Sequence, residues 1–123
     1  MDLRVDLTEP GSDDERLDEL SLRLATELRD LDVDSVAPAT HEDVPEGSKS
    51  ALAAIAGALV VSVRPTSQQL FSVVAAIRDW LRRSPVQRSV KVTIEGDTLE
   101  LTGASDELQR RVVEDWISKH ATG

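Results

Sequence analysis

A leucine stripe constrains this chain most. Leu17, Leu20, Leu24, Leu28 and Leu31 recur three or four residues apart, which places them on one face of an α-helix. Asp14, Asp18, Arg29 and Asp30 fall outside that stripe and suit a solvated face. Pro10-Gly11 breaks the chain just before the helix, and Ser12-Asp13-Asp14-Glu15 follows with the spacing of a capping box. Its acids also complement the positive end of the helix dipole. A helix with one apolar face needs a partner layer to cover it, so the rest of the chain has to supply that layer.

Two segments alternate in the period of a half-buried strand. Leu3-Arg4-Val5-Asp6-Leu7 is one, and Ser89 to Glu95, with Val90, Val92 and Ile94 on one side, is the other. Gly96-Asp97 suits a two-residue turn, and Thr98-Leu99-Glu100-Leu101-Thr102 alternates back, which predicts a hairpin. Val33 to Ala37 reads as a further short strand ended by Pro38, and residues 38–49 as a loop containing Pro45 and Gly47.

The remaining apolar segments read as helices. In Ser50 to Leu59, Leu52, Ile55 and Leu59 keep helical spacing in an alanine-rich context. Val60 to Val63 fits either the last helical turn or a short buried strand, and the helix reading continues the segment. Arg64-Pro65 ends it. Thr66 and Gln69 then have capping-box spacing ahead of a helix whose stripe is Leu70, Phe71, Val74, Ile77 and Leu81, widened by Val73 and Trp80. Arg82-Arg83 stands in its last turn, where positive charge is favoured, and Ser84-Pro85 stops it. A final helix is capped by Ser105, with Leu108, Val112, Val113, Trp116 and Ile117 as its apolar side.

The expected fold is therefore one α+β domain over residues 1–123. It has a sheet of three or four strands with a C-terminal hairpin, helices on one face, and the order βα(β)ααββα. Residues 1–2 and 121–123 are expected to fray. Phe71, Trp80 and Trp116 are the only aromatics, so the core must be aliphatic. The first residues carry no secretory pattern. The longest apolar run, Ala51 to Val63, is shorter than the roughly 20 residues of a membrane span. A cytoplasmic protein without a membrane partner is the expectation.

Chemistry-bearing residues are sparse. There is no cysteine, which excludes disulfides, thiolate metal sites and cysteine nucleophiles. No glycine-rich phosphate loop or G-x-S-x-G elbow occurs, and no cofactor or catalytic set is expected. His41 has only Glu42 and Asp43 beside it, short of the ligands zinc needs. A metal-assisted site at His41, Glu42 and Asp43 is the enzyme alternative, against a solvated loop. His120 sits where its charge suits a helix end. The net charge of −9 divides into −10 over residues 1–63 and +1 over residues 64–123, which repels nucleic acid overall. The one basic cluster is Arg78, Arg82, Arg83 and Arg88. It reads as helix-end compensation, as a partner-binding patch or as the footprint of a nucleic-acid sensor. Trp80 and Trp116 read as core residues, or as interface anchors if exposed.

The chain resembles the effector-associated constant component family of bacteria, mainly actinobacteria. The likeness is carried by the opening Leu3 to Leu7 strand, the acidic loop into the leucine helix and the small-residue segment Ala51 to Val61. It also rests on the Ile77-Arg78-Asp79-Trp80-Leu81-Arg82-Arg83 helix end and the Val90-Lys91-Val92-Thr93-Ile94 strand. It extends over nearly the full length. One departure is Arg64-Pro65-Thr66-Ser67, where members often carry a glycine-rich break. The resemblance implies a non-enzymatic accessory or adaptor protein. Its partner would be an effector encoded nearby, a caspase-like or trypsin-like protease or a nucleotide-dependent switch, in bacterial immunity or programmed death. On that reading Trp80, Arg82, Arg83, Arg78 and Trp116 are the partner-binding candidates. A homodimer through the alanine-rich helix is a further possibility.

Overall fold

The computed structural model describes residues 1–40, 54–84, 86–103 and 107–122. Along them run β1 (Asp2–Thr8), α1 (Asp14–Arg29), β2 (Ser35–Thr40), β3 (Ala54–Ser62), α2 (Ser67–Arg82), β4 (Ser89–Ile94), β5 (Asp97–Thr102) and α3 (Glu107–His120). The strands form one antiparallel sheet in the order β2-β3-β1-β4-β5. The strand nearest the N-terminus is thus the central one. β3 and β4 flank it and run parallel to each other, and α2 carries the chain across between them.

Alternation fixes which face is covered. Leu3, Val5, Leu7, Leu59, Val61, Val90, Val92, Ile94, Leu99 and Leu101 all point to one side. There they join Leu20, Leu24 and Leu28 of α1, Leu70, Val73, Val74 and Ile77 of α2, and Val113, Trp116 and Ile117 of α3 in a single core. Arg4, Lys91, Thr98 and Glu100 are exposed on the opposite side. The helices therefore cover one face, as the alternating strands require, but the sheet has five strands rather than three or four.

The extra strand is the largest correction. The alanine-rich segment expected to be helical is β3 from Ala54 to Ser62, and its residues 50–53 lie outside the described residues. Leu59, Val61 and Val63 follow a period of two, and β-branched residues favour a pleated, buried strand. Pairing with β1 on one side and β2 on the other outweighs alanine's helix propensity. Gly57 has φ +77°, and a Cβ there would come within 3.2 Å of the Leu7 carbonyl oxygen and 3.3 Å of Leu17 Cβ. The glycine lets α1 approach the sheet closely. Because this segment is an internal strand, it does not supply the helix that the sequence offered as one way to form a homodimer.

Smaller corrections have local causes. β2 runs through Pro38, which pairs with Leu59. It is an edge strand, where a missing N–H need not break the ladder. The cap of α1 is Asp13, whose carboxylate accepts from the Arg16 amide at 2.9 Å. Ser12, expected to be that cap, instead donates to Glu9 at 2.6 Å. Thr66 caps α2 as expected, accepting from the Gln69 amide at 3.2 Å. Phe71 is 43% exposed and leaves the stripe, while Val73 and Trp80 belong to it. The hairpin turn is Glu95-Gly96, because Ile94 pairs with Asp97. Both turn residues have positive φ, 49° and 83°, the geometry that matches strand twist in a two-residue loop. On α3, Val113, Trp116 and Ile117 are buried but Leu108 and Val112 are exposed. The cap expected at Ser105 lies outside the described residues.

Of the residues expected to fray, 1, 2, 121 and 122 are held, and Gly123 lies outside the described residues. The Met1 amine donates to the Val63 carbonyl at 3.1 Å and Asp2 pairs with Ser62. Thr122 donates to Pro65 O through its amide at 2.7 Å, and Ala121 donates to Ile117 O at 2.8 Å. Among the described residues no helix is long and apolar enough to cross a membrane.

Candidate functional site

Three strand ends meet at one end of the sheet. β1 finishes at Thr8, β4 starts at Ser89 and β5 finishes at Thr102, and these three residues are direct cross-strand neighbours. The C-terminus of α2 ends over them, and the β1–α1 and α2–β4 connections close the sides. Loops that gather at one end of a rigid sheet are where binding surfaces are commonly built.

An ion pair organises this end. Arg88 Nε donates to Glu9 Oε2 at 2.5 Å, and the two side chains are only 10% and 8% exposed. Ser12 Oγ donates to Glu9 Oε1 at 2.6 Å, and Arg16 Nε reaches the same oxygen at 3.4 Å. The Ser12 hydroxyl and then the Arg88 guanidinium hold the Glu9 carboxyl down from 4.5 to about 2, against the opposing pull of burial. The Arg88 guanidinium also stands 5.1 Å from the centre of the Trp80 ring, a cation–π arrangement. Glu9 and Trp80 therefore fix Arg88 together.

Two clefts open on either side of this post. The larger, about 550 Å³, is walled by Thr8, Pro10, Leu81, Arg82, Val86 and Ser89, with Ser84 and Arg88 at its boundary. The smaller, about 460 Å³, lies between α1 and the end of α2 and includes Arg23, Glu27, Trp80 and Arg83. Ser84 and Arg88 line both.

The sequence candidates divide accordingly. Trp80 and Arg83 meet at the smaller cleft, and Arg82 lines the larger one. Arg83 is engaged by Glu27 at 3.0 Å and by Asp79 at 3.5 Å. Arg78 stands one turn before Arg82, and its Nε is buried without a hydrogen-bond partner among the described residues. Burial, and then the Arg82 charge beside it, lower the Arg78 pKa. Trp80 and Trp116 are 8% and 4% exposed, so both are core side chains and neither presents an open ring to a partner. Trp116 lies away from the cluster on α3. Its Nε1 donates to Asp97 O at 3.3 Å, and its ring packs against His120, whose Nε2 meets Asp97 Oδ2 at 2.7 Å. The helix-end role expected of His120 thus includes a link to the hairpin.

Glu9, Thr8 and Ser89 were not legible as site residues. Glu9 and Arg88 are 79 positions apart, and no local spacing signals such a pair. Among the described residues no three His, Asp or Glu side chains cluster as metal ligands. The expected alternative at His41, Glu42 and Asp43 lies outside those residues.

No known family, curated protein or solved structure matches this chain.

Proposed function

We propose that this chain is a non-catalytic accessory protein that acts by binding an effector module. The module is a caspase-like or trypsin-like protease, or a domain associated with one, in a bacterial immunity or programmed-death system. The partner class comes from the resemblance to the effector-associated constant component family. The observation that supports action by contact is the paired clefts around Ser84 and Arg88. Arginine is enriched in binding hot spots, and the Glu9–Arg88–Trp80 packing holds that surface in one shape before any partner arrives. Preorganisation of this kind reduces the entropy lost on association.

Co-expression with the product of the adjacent gene tests the reading. The expected result is co-purification that weakens when Arg82 and Arg83 are both changed to Gln. Failure to co-purify, with and without a trigger of the system, would count against it.

A further inference from the structure

The outer face of α3 presents apolar side chains and charges that the packing of the domain does not use. Leu108 and Val112, one turn apart, are 68% and 47% exposed, whereas Val113, Trp116 and Ile117 fill the core from the opposite side of the helix. At 3.6 residues per turn, Asp115 and Lys119 fall about 20° to either side of Leu108, with Val112 about 40° to the Lys119 flank and Arg111 about 60° to the Asp115 flank. All five are exposed and form one strip. On the neighbouring strip Arg110 is engaged by Glu107 at 3.2 Å and by Glu114 at 3.8 Å. Arg111 and Asp115 are also a turn apart, yet neither they nor Lys119 form an ion pair among the described residues.

The order of these charges selects what covers the strip. Two copies of α3 related by a two-fold axis perpendicular to both helices run antiparallel and present the same face to each other. With the axis level with Val113, Arg111 of each copy stands level with Asp115 of the other, on the same flank. Val112 then meets Val112 across the axis, and Leu108 lies against the aliphatic stem of Lys119. Parallel helices would instead set Arg111 against Arg111 and Asp115 against Asp115. The strip is therefore complementary to itself in one direction only. The net charge of −9 on each copy does not oppose this contact strongly, because −10 belongs to residues 1–63. In that half, β2 and β3 occupy one edge of the sheet, while α3 bonds to β5 at the other edge through Trp116 with Asp97 and Gln109 with Thr102. Contact through α3 places the acidic halves on the outside, where salt screens their repulsion.

We propose that two copies of this chain associate through α3, antiparallel about a two-fold axis at Val113. Two reciprocal Arg111–Asp115 pairs set the register, and Leu108 and Val112 supply the apolar seam beside them. The contact is one pair of 14-residue helices, so it belongs with the small, transient interfaces and forms as concentration rises. It does not depend on the effector reading above.

Sedimentation equilibrium of the full chain from about 1 μM to about 1 mM spans the range of weak association, and the mass is expected to rise from monomer to dimer and stop there. Arg111→Asp leaves acids at both positions, and Asp115→Arg leaves bases at both. Each variant alone is expected to associate about tenfold or more weakly, because two exposed attractions become two repulsions. An equimolar mixture of the two variants is expected to recover the wild-type association, since a heterodimer restores both opposite-charge pairs. Val112→Glu sets two carboxylates face to face at the axis and is expected to abolish the dimer, whereas Arg110→Gln lies outside the strip and is expected to change nothing. The substituted positions are exposed, and thermal unfolding of each variant checks that the monomer is intact. Any of four results overturns the proposal: a wild-type chain that stays monomeric, a mixture no stronger than its components, a Val112→Glu variant that associates like wild type, or a mass that climbs past the dimer. A monomeric chain whose capture of a co-expressed partner is lost in Val112→Glu would assign the strip to that partner instead.

Discussion

Replacing Glu9 by Gln is expected to remove about 2–3 kcal/mol of stability at neutral pH, and to remove it in a pH-dependent way. The carboxyl is held at about 2 instead of 4.5, and each pH unit of displacement corresponds to about 1.4 kcal/mol. The full displacement gives about 3 kcal/mol, and the water that reaches the exposed tenth of each side chain trims it toward about 2. The sign follows from the depressed value. The contribution is complete above the unfolded carboxyl's 4.5 and is lost as pH falls toward 2. Urea unfolding of wild type and Glu9→Gln from pH 2 to pH 7 measures the difference, which should be constant above about pH 5 and shrink toward zero near pH 2. A double mutant cycle with Arg88→Met separates the pair from the cost of an orphaned charge. Glu9→Gln alone leaves the Arg88 guanidinium buried without its carboxylate, whereas the double variant leaves a thioether against Trp80. The double variant is expected to be more stable than Glu9→Gln. Equal stability of wild type and Glu9→Gln at pH 7, or a difference that does not respond to acid, would refute the reasoning.

Three further outcomes test the fold. Gly57→Ala is expected to cost about 1–3 kcal/mol in chemical denaturation, since its Cβ would meet Leu7 O at 3.2 Å and Leu17 Cβ at 3.3 Å on a positive-φ backbone. Glu95→Asn should stabilise by roughly 0.5–1 kcal/mol, because Asn tolerates the left-handed conformation that Glu95 adopts at φ 49°; a lower thermal midpoint would contradict the turn assignment. Leu70→Ala should cost about 2–5 kcal/mol and Phe71→Ala less than about 1, as Leu70 is fully buried and Phe71 is 43% exposed; equal losses would mean that the face of α2 is misplaced.

The elements that sequence reasoning recovers best are those with a single, uninterrupted period. α1, α2, β1 and the β4–β5 hairpin each follow one period, and their buried faces agree with it except at Phe71. The segment from Ala54 to Ser62 carries two periods at once. Ala-rich composition and Leu52, Ile55 and Leu59 favour a helix, while Leu59, Val61 and Val63 favour a strand. Two neighbouring strands decide between them, and those contacts are not local. α3 shows the opposite error: Leu108 and Val112 extend its apolar pattern, yet they are 68% and 47% exposed. The site divides in the same way. Arg82 and Arg83 are visible as charges at a helix end, but their difference is not. Arg83 is engaged because Glu27 of α1 lies beside it, and Arg82 is open because it faces the cleft. Arg88 appears in sequence as one more surface charge, and only the distant Glu9 makes it an internal post.

The central position of β1 sets the order in which the domain can assemble. Its two neighbours are β3 and β4, reached through pairs such as Asp6 with Ala58 and Thr8 with Ser89. During synthesis at about 5–20 residues per second, β1 and α1 emerge with both long edges of the strand unpaired. The sheet cannot begin to close until β3 is out, and cannot finish until the hairpin follows. Most of the chain must therefore be present before its middle strand is protected. Such non-local pairing slows folding, and charges such as Arg4 and Asp6 on the solvent face of β1 are of the kind that discourage edge-to-edge association of an unpaired strand.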